Sequence, residues 1–192
     1  MSYSWSFHSF SDEAFSNVFG RSSPEQASDF LELVASELGD ANPEIADAAR
    51  SILMSGISYD GLSPDASRAM DEVIKLAFSP EGFEAELEVE HLSPDGVHPS
   101  VIAELVTRLN APVPLLSGLL RGRRFGQAGT ADCEYCIFQS DEVSAVLQEV
   151  RDACAASGHW SAEYVPELLQ ECLIEPFETA ERVGRPVFCH LS

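Results

Sequence analysis

The chain opens with a strict alternation of aromatic and polar side chains. Tyr3, Trp5 and Phe7 fall on one side of this pattern, and serines and a histidine fall on the other. A period of two is typical of a half-buried strand, because successive side chains of a strand point to opposite faces. We therefore predict a strand over residues 2–10 whose aromatic face belongs to the core.

Four helix starts follow in the first half of the chain. Ser-Asp-Glu at 11–13 supplies a capping side chain and first-turn acids, and we expect its helix to end near Gly20. The other three starts place Ser or Asn before a proline, whose missing N–H costs nothing at the first helical position, and an acid follows. They predict helices over 24–38, 43–54 and 64–78.

Within residues 82–91, glutamate alternates with alanine, leucine, valine and histidine. In a helix these glutamates would form repelling pairs four residues apart, so we predict extended structure at an exposed sheet edge. The same carboxylates, with His91 and His98, lack the ordered oxygen ligands and the glycine turn of a calcium loop. We interpret them as a solvated charged face.

The last third of the chain carries a strand–helix–helix–strand pattern. Residues 133–138 form a short, mostly apolar run typical of a strand, and Ser140 is the expected N-cap of a helix over 141–156. A second helix over 166–183 and a strand over 186–191 complete the pattern. The pattern therefore predicts two further strands.

Together these elements predict a helix-rich α+β fold. We expect its small sheet to be formed by the N-terminal strand, the 133–138 strand and the C-terminal strand. With 192 residues, 45% of them hydrophobic, the chain has the size and the core of one domain, so residues 1–192 are expected to form a single domain. A small sheet has exposed edges, and the terminal strands are expected to pair across a two-fold axis if the chain is a homodimer rather than a monomer.

The charge balance narrows the classes of partner. There are 11 Lys and Arg against 32 Asp and Glu, a formal net charge of −21. Nucleic-acid binding depends on neutralised phosphates, and an anionic membrane repels an acidic chain, so both are excluded as the main activity. The same charge favours a basic protein partner.

Cysteine usage and the first residues point to the cytoplasm. The five cysteines are an odd, scattered set, which favours reduced thiols over a disulfide framework. The first residues lack the basic and apolar regions of a signal peptide, and no apolar run approaches the roughly 20 residues that span a bilayer. We therefore expect a soluble cytoplasmic protein.

Three stretches of the sequence resemble one known family. They are an aromatic strand leading into SDEAF, a strand entering a capped helix at YCIFQSDEV, and the closing helix and strand FETAERVGRPVFCHLS. This arrangement resembles the YfbM-like family of bacterial domains, which has no agreed activity, at the two ends of the chain. The resemblance implies an α+β architecture and a bacterial cytoplasmic setting, and it carries no functional residues onto this chain.

Cys133 and Cys136 form a Cys-x-x-Cys pair. A structural zinc site wants four ligands, often as two such pairs, and a thioredoxin-like pair should open a helix directly. Here three residues separate the pair from the predicted helix, and positions three apart on a strand point to opposite faces. We interpret both cysteines as buried structural thiols, and we expect neither a metal nor a cofactor.

Arginine clusters in one loop of this acidic chain. Arg121, Arg123 and Arg124 begin a glycine-containing segment, residues 121–131, that has no periodicity. Arg108 precedes them. Guanidinium groups suit phosphate or carboxylate, which predicts an anion site. The alternative is that these arginines pair with the protein's own carboxylates.

The sequence carries no G-x-S-x-G, P-loop, G-x-G-x-x-G or H-E-x-x-H motif. Two hypotheses about function remain. The first is a non-catalytic protein-interaction module that recognises a basic partner, as toxin-neutralising immunity proteins do. The second is an enzyme or an anionic small-ligand binder that uses the Arg-rich loop 121–124.

Overall fold

The computed structural model describes residues 3–39, 43–93, 96–109, 115–127, 131–156 and 158–191. Helices and a small antiparallel sheet make up its regular structure, which confirms the predicted α+β class. The chain divides into two compact units, one of residues 1–9 with 90–192 and one of residues 10–89. That the two units act as a single domain stays a prediction.

Capped helices build the unit of residues 10–89. Its described α-helices are α1 (Asp12–Val18), α2 (Pro24–Val34), α3 (Pro43–Ser55) and α4 (Pro64–Ala77), with a π-helical turn, Ala35–Gly39, directly after α2. The side chains of Ser11 and Ser63 each accept a hydrogen bond from the backbone three residues on, which confirms these predicted caps. Ser23 does the same, and the Gln26 side chain accepts from the Ser23 N–H in return.

The prediction of extended structure over residues 82–91 is wrong for most of its length. Residues 80–88 form consecutive turns, and only the last two residues of the range lie in a strand. Phe83 and Leu87 are both buried, and the Leu87 N–H donates to the Phe83 carbonyl at 2.8 Å. Burying two apolar side chains four residues apart outweighs the repulsion between glutamates that remain largely in water.

The sheet belongs to the unit of residues 1–9 and 90–192. Its described strands are β1 (Trp5–Ser9), β2 (Glu90–His91), β3 (Tyr135–Phe138) and β4 (Val187–Leu191), in the order β2-β1-β4-β3 and antiparallel throughout. β1 and β4 pair over their full lengths, from Trp5 opposite Leu191 to Ser9 opposite Val187. The three expected strands therefore form one sheet, and β2 adds a fourth.

Both terminal strands are interior to this sheet. β1 lies between β2 and β4, and β4 lies between β1 and β3. Neither strand offers a free edge, so the expected pairing of terminal strands across a two-fold axis is wrong. Part of the β3 edge is also covered, because the Arg123 N–H donates to the Tyr135 carbonyl at 2.9 Å. The choice between monomer and homodimer stays a prediction.

Helices pack on one face of the sheet. They are α5 (Pro99–Arg108), α6 (Gly118–Arg121), α7 (Ser140–Ala155), α8 (Val165–Leu169) and α9 (Glu175–Val183), with a 3₁₀ turn, Leu115–Ser117, before α6 and a π-helical turn, Gln170–Ile174, between α8 and α9. Helix α7 begins one residue earlier than predicted. Gln139 rather than Ser140 is its N-cap, because the Glu142 carboxylate reaches back to accept from the Gln139 N–H at 3.0 Å.

Three phenylalanine rings lie at the centre of the core beneath the sheet. Phe177 of α9 meets Phe7 of β1 and Phe138 of β3 edge-on, with ring centroids 5.8 and 5.7 Å apart. All three side chains are buried. The aromatic face predicted for the first strand is therefore the core face for Trp5 and Phe7, whereas Tyr3 is exposed.

Candidate functional site

The segment after α6 folds around a buried arginine. Arg123 donates through Nη1 and Nη2 to the two carboxylate oxygens of Glu142, at 2.6 and 2.5 Å, and it also donates to the carbonyls of Gln127 and Ile137. Hydrogen bonding to Glu142 raises the pKa of Arg123. Burial opposes ionisation of Glu142, but the Arg123 and Gln139 hydrogen bonds and the Arg123 charge outweigh it and lower the pKa of Glu142. Arg123 is therefore held in a fixed ion pair.

Arg108 also has partners within the protein. Its guanidinium lies over the Trp160 ring, 3.5 Å from the ring centroid, and donates to the carbonyl of His159 at 2.9 Å. Glu104 lies 3.7 Å from the same group, one helical turn away. Arg108 therefore fastens the segment after α7 to α5.

The four arginines of the predicted anion site differ in their surroundings. Arg121 is exposed at the end of α6, and Arg124 is half-buried. Arg123 and Arg124 share a pocket of about 220 Å³, but the Glu142 carboxylate forms part of its wall. Arg108 and Arg123 are paired as the alternative interpretation expects. The anion-site hypothesis stays a prediction.

Replacing Glu142 with glutamine is expected to lower the free energy of unfolding by about 2 kcal/mol, because the Arg123 cation keeps its burial and loses its counter-charge. The figure is below that for a fully buried pair, because the Glu142 side chain is 23% exposed. Urea unfolding at neutral pH measures it. The control is Glu178→Gln, which removes the partner of Arg151 from an exposed pair and should cost less than about 0.5 kcal/mol. Equal losses in the two variants would contradict the buried role of Arg123.

The Cys-x-x-Cys pair spans the start of β3. Cys133 lies before the strand and is half-buried, so the predicted 133–138 strand begins two residues late, at Tyr135. Cys136 is fully buried opposite Cys189 of β4. Burial raises the pKa of the Cys136 and Cys189 thiols well above the usual range. These two thiols are packed as core side chains, whereas Cys133 is not fully buried.

Three histidines gather on the face of the sheet opposite Phe7. His8 of β1 pairs with His91 of β2, with ring centroids 4.5 Å apart, and it stacks on His190 of β4 at 5.2 Å. His8 is 7% exposed, and among the residues that the structure describes neither of its ring nitrogens has a hydrogen-bond partner. Within the described part of the chain, no group of three His, Cys, Asp or Glu side chains is placed to hold a metal ion.

The unit of residues 10–89 carries the larger share of the negative charge. It contains 17 Asp and Glu against four Lys and Arg. Three of these cations pair with a carboxylate three residues earlier in the chain. The pairs are Arg50 with Asp47, Arg68 with Asp65, and Lys75 with Glu72. The cations of this unit are therefore largely engaged, and most of its acids lie on exposed positions.

A groove between α2 and the turns after α4 combines carboxylates with an apolar floor, and we call it the acidic groove. It encloses about 120 Å³ and is lined by Gln26, Asp29, Phe30, Leu33, Glu81, Gly82, Phe83 and Glu86. The buried rings of Phe30 and Phe83 pack with centroids 4.6 Å apart and form the floor. Asp29, Glu81 and Glu86 are exposed at the rim. A side chain with an apolar stem and a cationic head matches this arrangement.

Comparison with known proteins identifies no relative: no family model, curated protein or solved structure matches the chain. The resemblance to the YfbM-like family stays a prediction. Among the described helices, none has the length and apolar character needed to cross a membrane. The geometry of the chain itself is therefore the basis for any functional proposal.

Sequence reasoning missed both the acidic groove and the histidine cluster. The groove depends on Phe83 lying in the turns after α4, whereas the sequence analysis predicts a strand in that region. The histidines are distant in sequence, and the register between strands brings them together. The one available signal was His8, which alternates with the aromatic residues and so belongs on the face opposite the core.

Proposed function

We propose that this chain is a non-catalytic cytoplasmic interaction module that binds a basic protein through the acidic groove. The observation that carries the proposal is the exposed rim of Asp29, Glu81 and Glu86 over the apolar floor of Phe30 and Phe83. Charge alone attracts many cations, whereas a groove with both features selects a Lys or Arg side chain presented on a protein.

The fit of a lysine or arginine follows from the two halves of that side chain. The methylene stem loses contact with water when it lies against Leu33 and Phe83, which is favourable at about 25 cal/mol per Å² of buried apolar area. The cationic head then reaches the carboxylates of Glu81 and Glu86 at the rim. Since those carboxylates remain exposed before binding, the desolvation cost is small.

The surrounding charge supports rapid association with such a partner. The 17 acids of residues 10–89 produce a negative field around the groove that steers a basic surface toward it. Steering by exposed charges weakens with ionic strength, because the Debye length falls to about 8 Å at physiological salt. A toxin-neutralising role of the immunity type is consistent with this mode of binding.

The alternative hypothesis, an anionic ligand at loop 121–124, gains no support from the geometry around Arg123. The Glu142 carboxylate already occupies the two donors that an anion would use. The geometry therefore favours the acidic groove over this loop.

The test is binding of a fluorescently labelled oligolysine peptide, measured by anisotropy at low salt. The variant Glu81→Lys/Glu86→Lys reverses the rim of the groove, and Glu37→Lys/Asp60→Lys makes the same change in net charge at exposed positions outside it. We expect the rim variant to bind at least about tenfold more weakly than the parent, and the control variant to bind within about threefold of the parent.

Two outcomes would overturn this function. Equal weakening in both variants would mean that bulk charge, rather than the groove, attracts the peptide. No binding by the parent protein at low salt would reject recognition of a basic partner. Circular dichroism spectra that match the parent are required of both variants, and the exposure of all four substituted positions makes this the expected result.

A further inference from the structure

The histidine cluster lies beside both connections between the sheet and residues 10–89. β1 ends at Ser9, after which the chain enters the other unit, and it returns at Glu90, the first residue of β2. His8 is the second residue before the first crossing, and His91 is the second residue after the second crossing. The cluster therefore joins the two strands through which the chain leaves the sheet and returns to it.

Strand β2 is attached to the sheet by few interactions. It has two residues, and these pair with His8 and Ser9 of β1. The Leu92 N–H that follows donates to the Phe7 carbonyl at 2.9 Å. Glu90 and His91 are exposed. By comparison β1 and β4 pair over five residues each, so β2 is the strand that separates at the lowest cost.

The surroundings of His8 oppose a proton on its ring. Burial first, and then the charges of His190 and His91, lower the pKa of His8 from its ordinary value of 6.5 to about 4. His91 faces it from β2, and His190 faces it from β4. A positive charge on either neighbouring ring therefore disfavours a proton on His8.

Other groups around the cluster supply no matching negative charge at His8 in the described part of the chain. Phe188 of β4 lies opposite His8, with ring centroids 6.4 Å apart. Tyr135 of β3 lies opposite His190. Glu90 is paired with Ser9 rather than with His8, and it is exposed. A proton on His8 therefore meets like charges and aromatic surface.

We propose that the cluster of His8, His91 and His190 is an acid-sensitive latch, in which protonation of His8 releases β2 from β1 and frees the chain where it returns from residues 10–89. The proton added at a His8 ring nitrogen comes from solvent and no covalent bond is broken. Separation of β2 gives the new cation access to water and moves His91 away from it. The latch thus converts a fall in pH into a local opening of the sheet.

The direction of the pH dependence follows from linkage. The closed form holds His8 neutral down to about pH 4, whereas the opened form takes up a proton near the ordinary value of 6.5. The opened form therefore binds more protons between these limits, and opening becomes easier as pH falls through that window. Each pH unit below 6.5 favours opening by at most about tenfold.

Amide hydrogen exchange followed by NMR at pH 6.5 and pH 4.5 tests the latch. We expect the protection factor of the Leu92 amide to fall by up to about 100-fold between these values. The protection factor of the Leu191 amide, which donates to the carbonyl of Glu134 just before β3, should fall by much less. In His8→Phe, which keeps a ring of similar size, the Leu92 amide should lose most of this pH dependence.

The control variant is His159→Gln, which removes an exposed histidine outside the cluster and should behave as the parent. Equal loss of protection at Leu92 and Leu191 would show a global effect and reject the latch. An unchanged Leu92 response in His8→Phe would reject the role of His8. Should His8→Phe fail to fold, an NMR titration of the parent decides the matter, because a His8 ring that titrates above pH 6 overturns the proposal.

Discussion

Replacing Phe177 with alanine is expected to lower the free energy of unfolding by about 4 kcal/mol. The ring is fully buried and meets Phe7 and Phe138 edge-on, with centroids 5.8 and 5.7 Å away. Truncation removes the transfer free energy of the ring and leaves a cavity between helix α9 and two strands. It also removes two aromatic pairs, each worth about 0.5–1.5 kcal/mol beyond burial.

Urea unfolding monitored by circular dichroism measures this loss. Phe177→Leu should cost about 1.5 kcal/mol, because leucine refills much of the volume. Val183→Ala in the same helix is the matched surface control, since Val183 is 53% exposed, and it should stay within about 0.5 kcal/mol of the parent. A loss below about 1.5 kcal/mol for Phe177→Ala would contradict a core organised around this ring.

Gly122→Ala is also expected to lower the free energy of unfolding by about 4 kcal/mol. Gly122 has a φ of +85°, which costs an L-residue about 1 kcal/mol or more. A methyl group there would also lie 2.0 Å from the Cys133 carbonyl oxygen, and backbone atoms cannot move aside as a side chain can. The segment that carries Arg123 would have to shift away from the residues before β3.

Gly126→Ala separates the two contributions to this loss. Gly126 has a similar φ of +71°, but a methyl group there meets no atom within 4 Å. We expect Gly126→Ala to lower the free energy of unfolding by about 1 kcal/mol, because of the backbone conformation alone. Chemical unfolding of both variants at neutral pH gives the comparison. Equal losses would contradict the close approach between Gly122 and Cys133.

The α+β class was predictable because local patterns agree with the fold over most of the chain. The alternation around Trp5 and Phe7 and the serine caps at Ser11, Ser23 and Ser63 all depend on near neighbours in sequence. Residues 80–88 did not follow their pattern, because burial of two apolar side chains outweighed the alternation of glutamates. In that segment tertiary burial, rather than the local pattern of charges, determines the backbone conformation.

The candidate sites were harder to predict because they depend on long-range pairing. The sequence shows that Arg123 lies in a loop, but it does not show that Glu142 of α7 reaches it with both oxygens. The histidines at 8, 91 and 190 come together through strand order and register alone. Such contacts are set by the whole fold, whereas a helix cap is set by four consecutive residues.

The pairing of Trp5 with Leu191 has a consequence for how this protein is made on the ribosome. β1 emerges before its partner β4, which is translated after more than 170 intervening residues. Residues 10–89 can fold while synthesis continues, but the aromatic side of β1 must wait without its partner strand. The nascent chain therefore exposes the apolar side of β1 until β4 has been translated, which favours binding of that segment by chaperones.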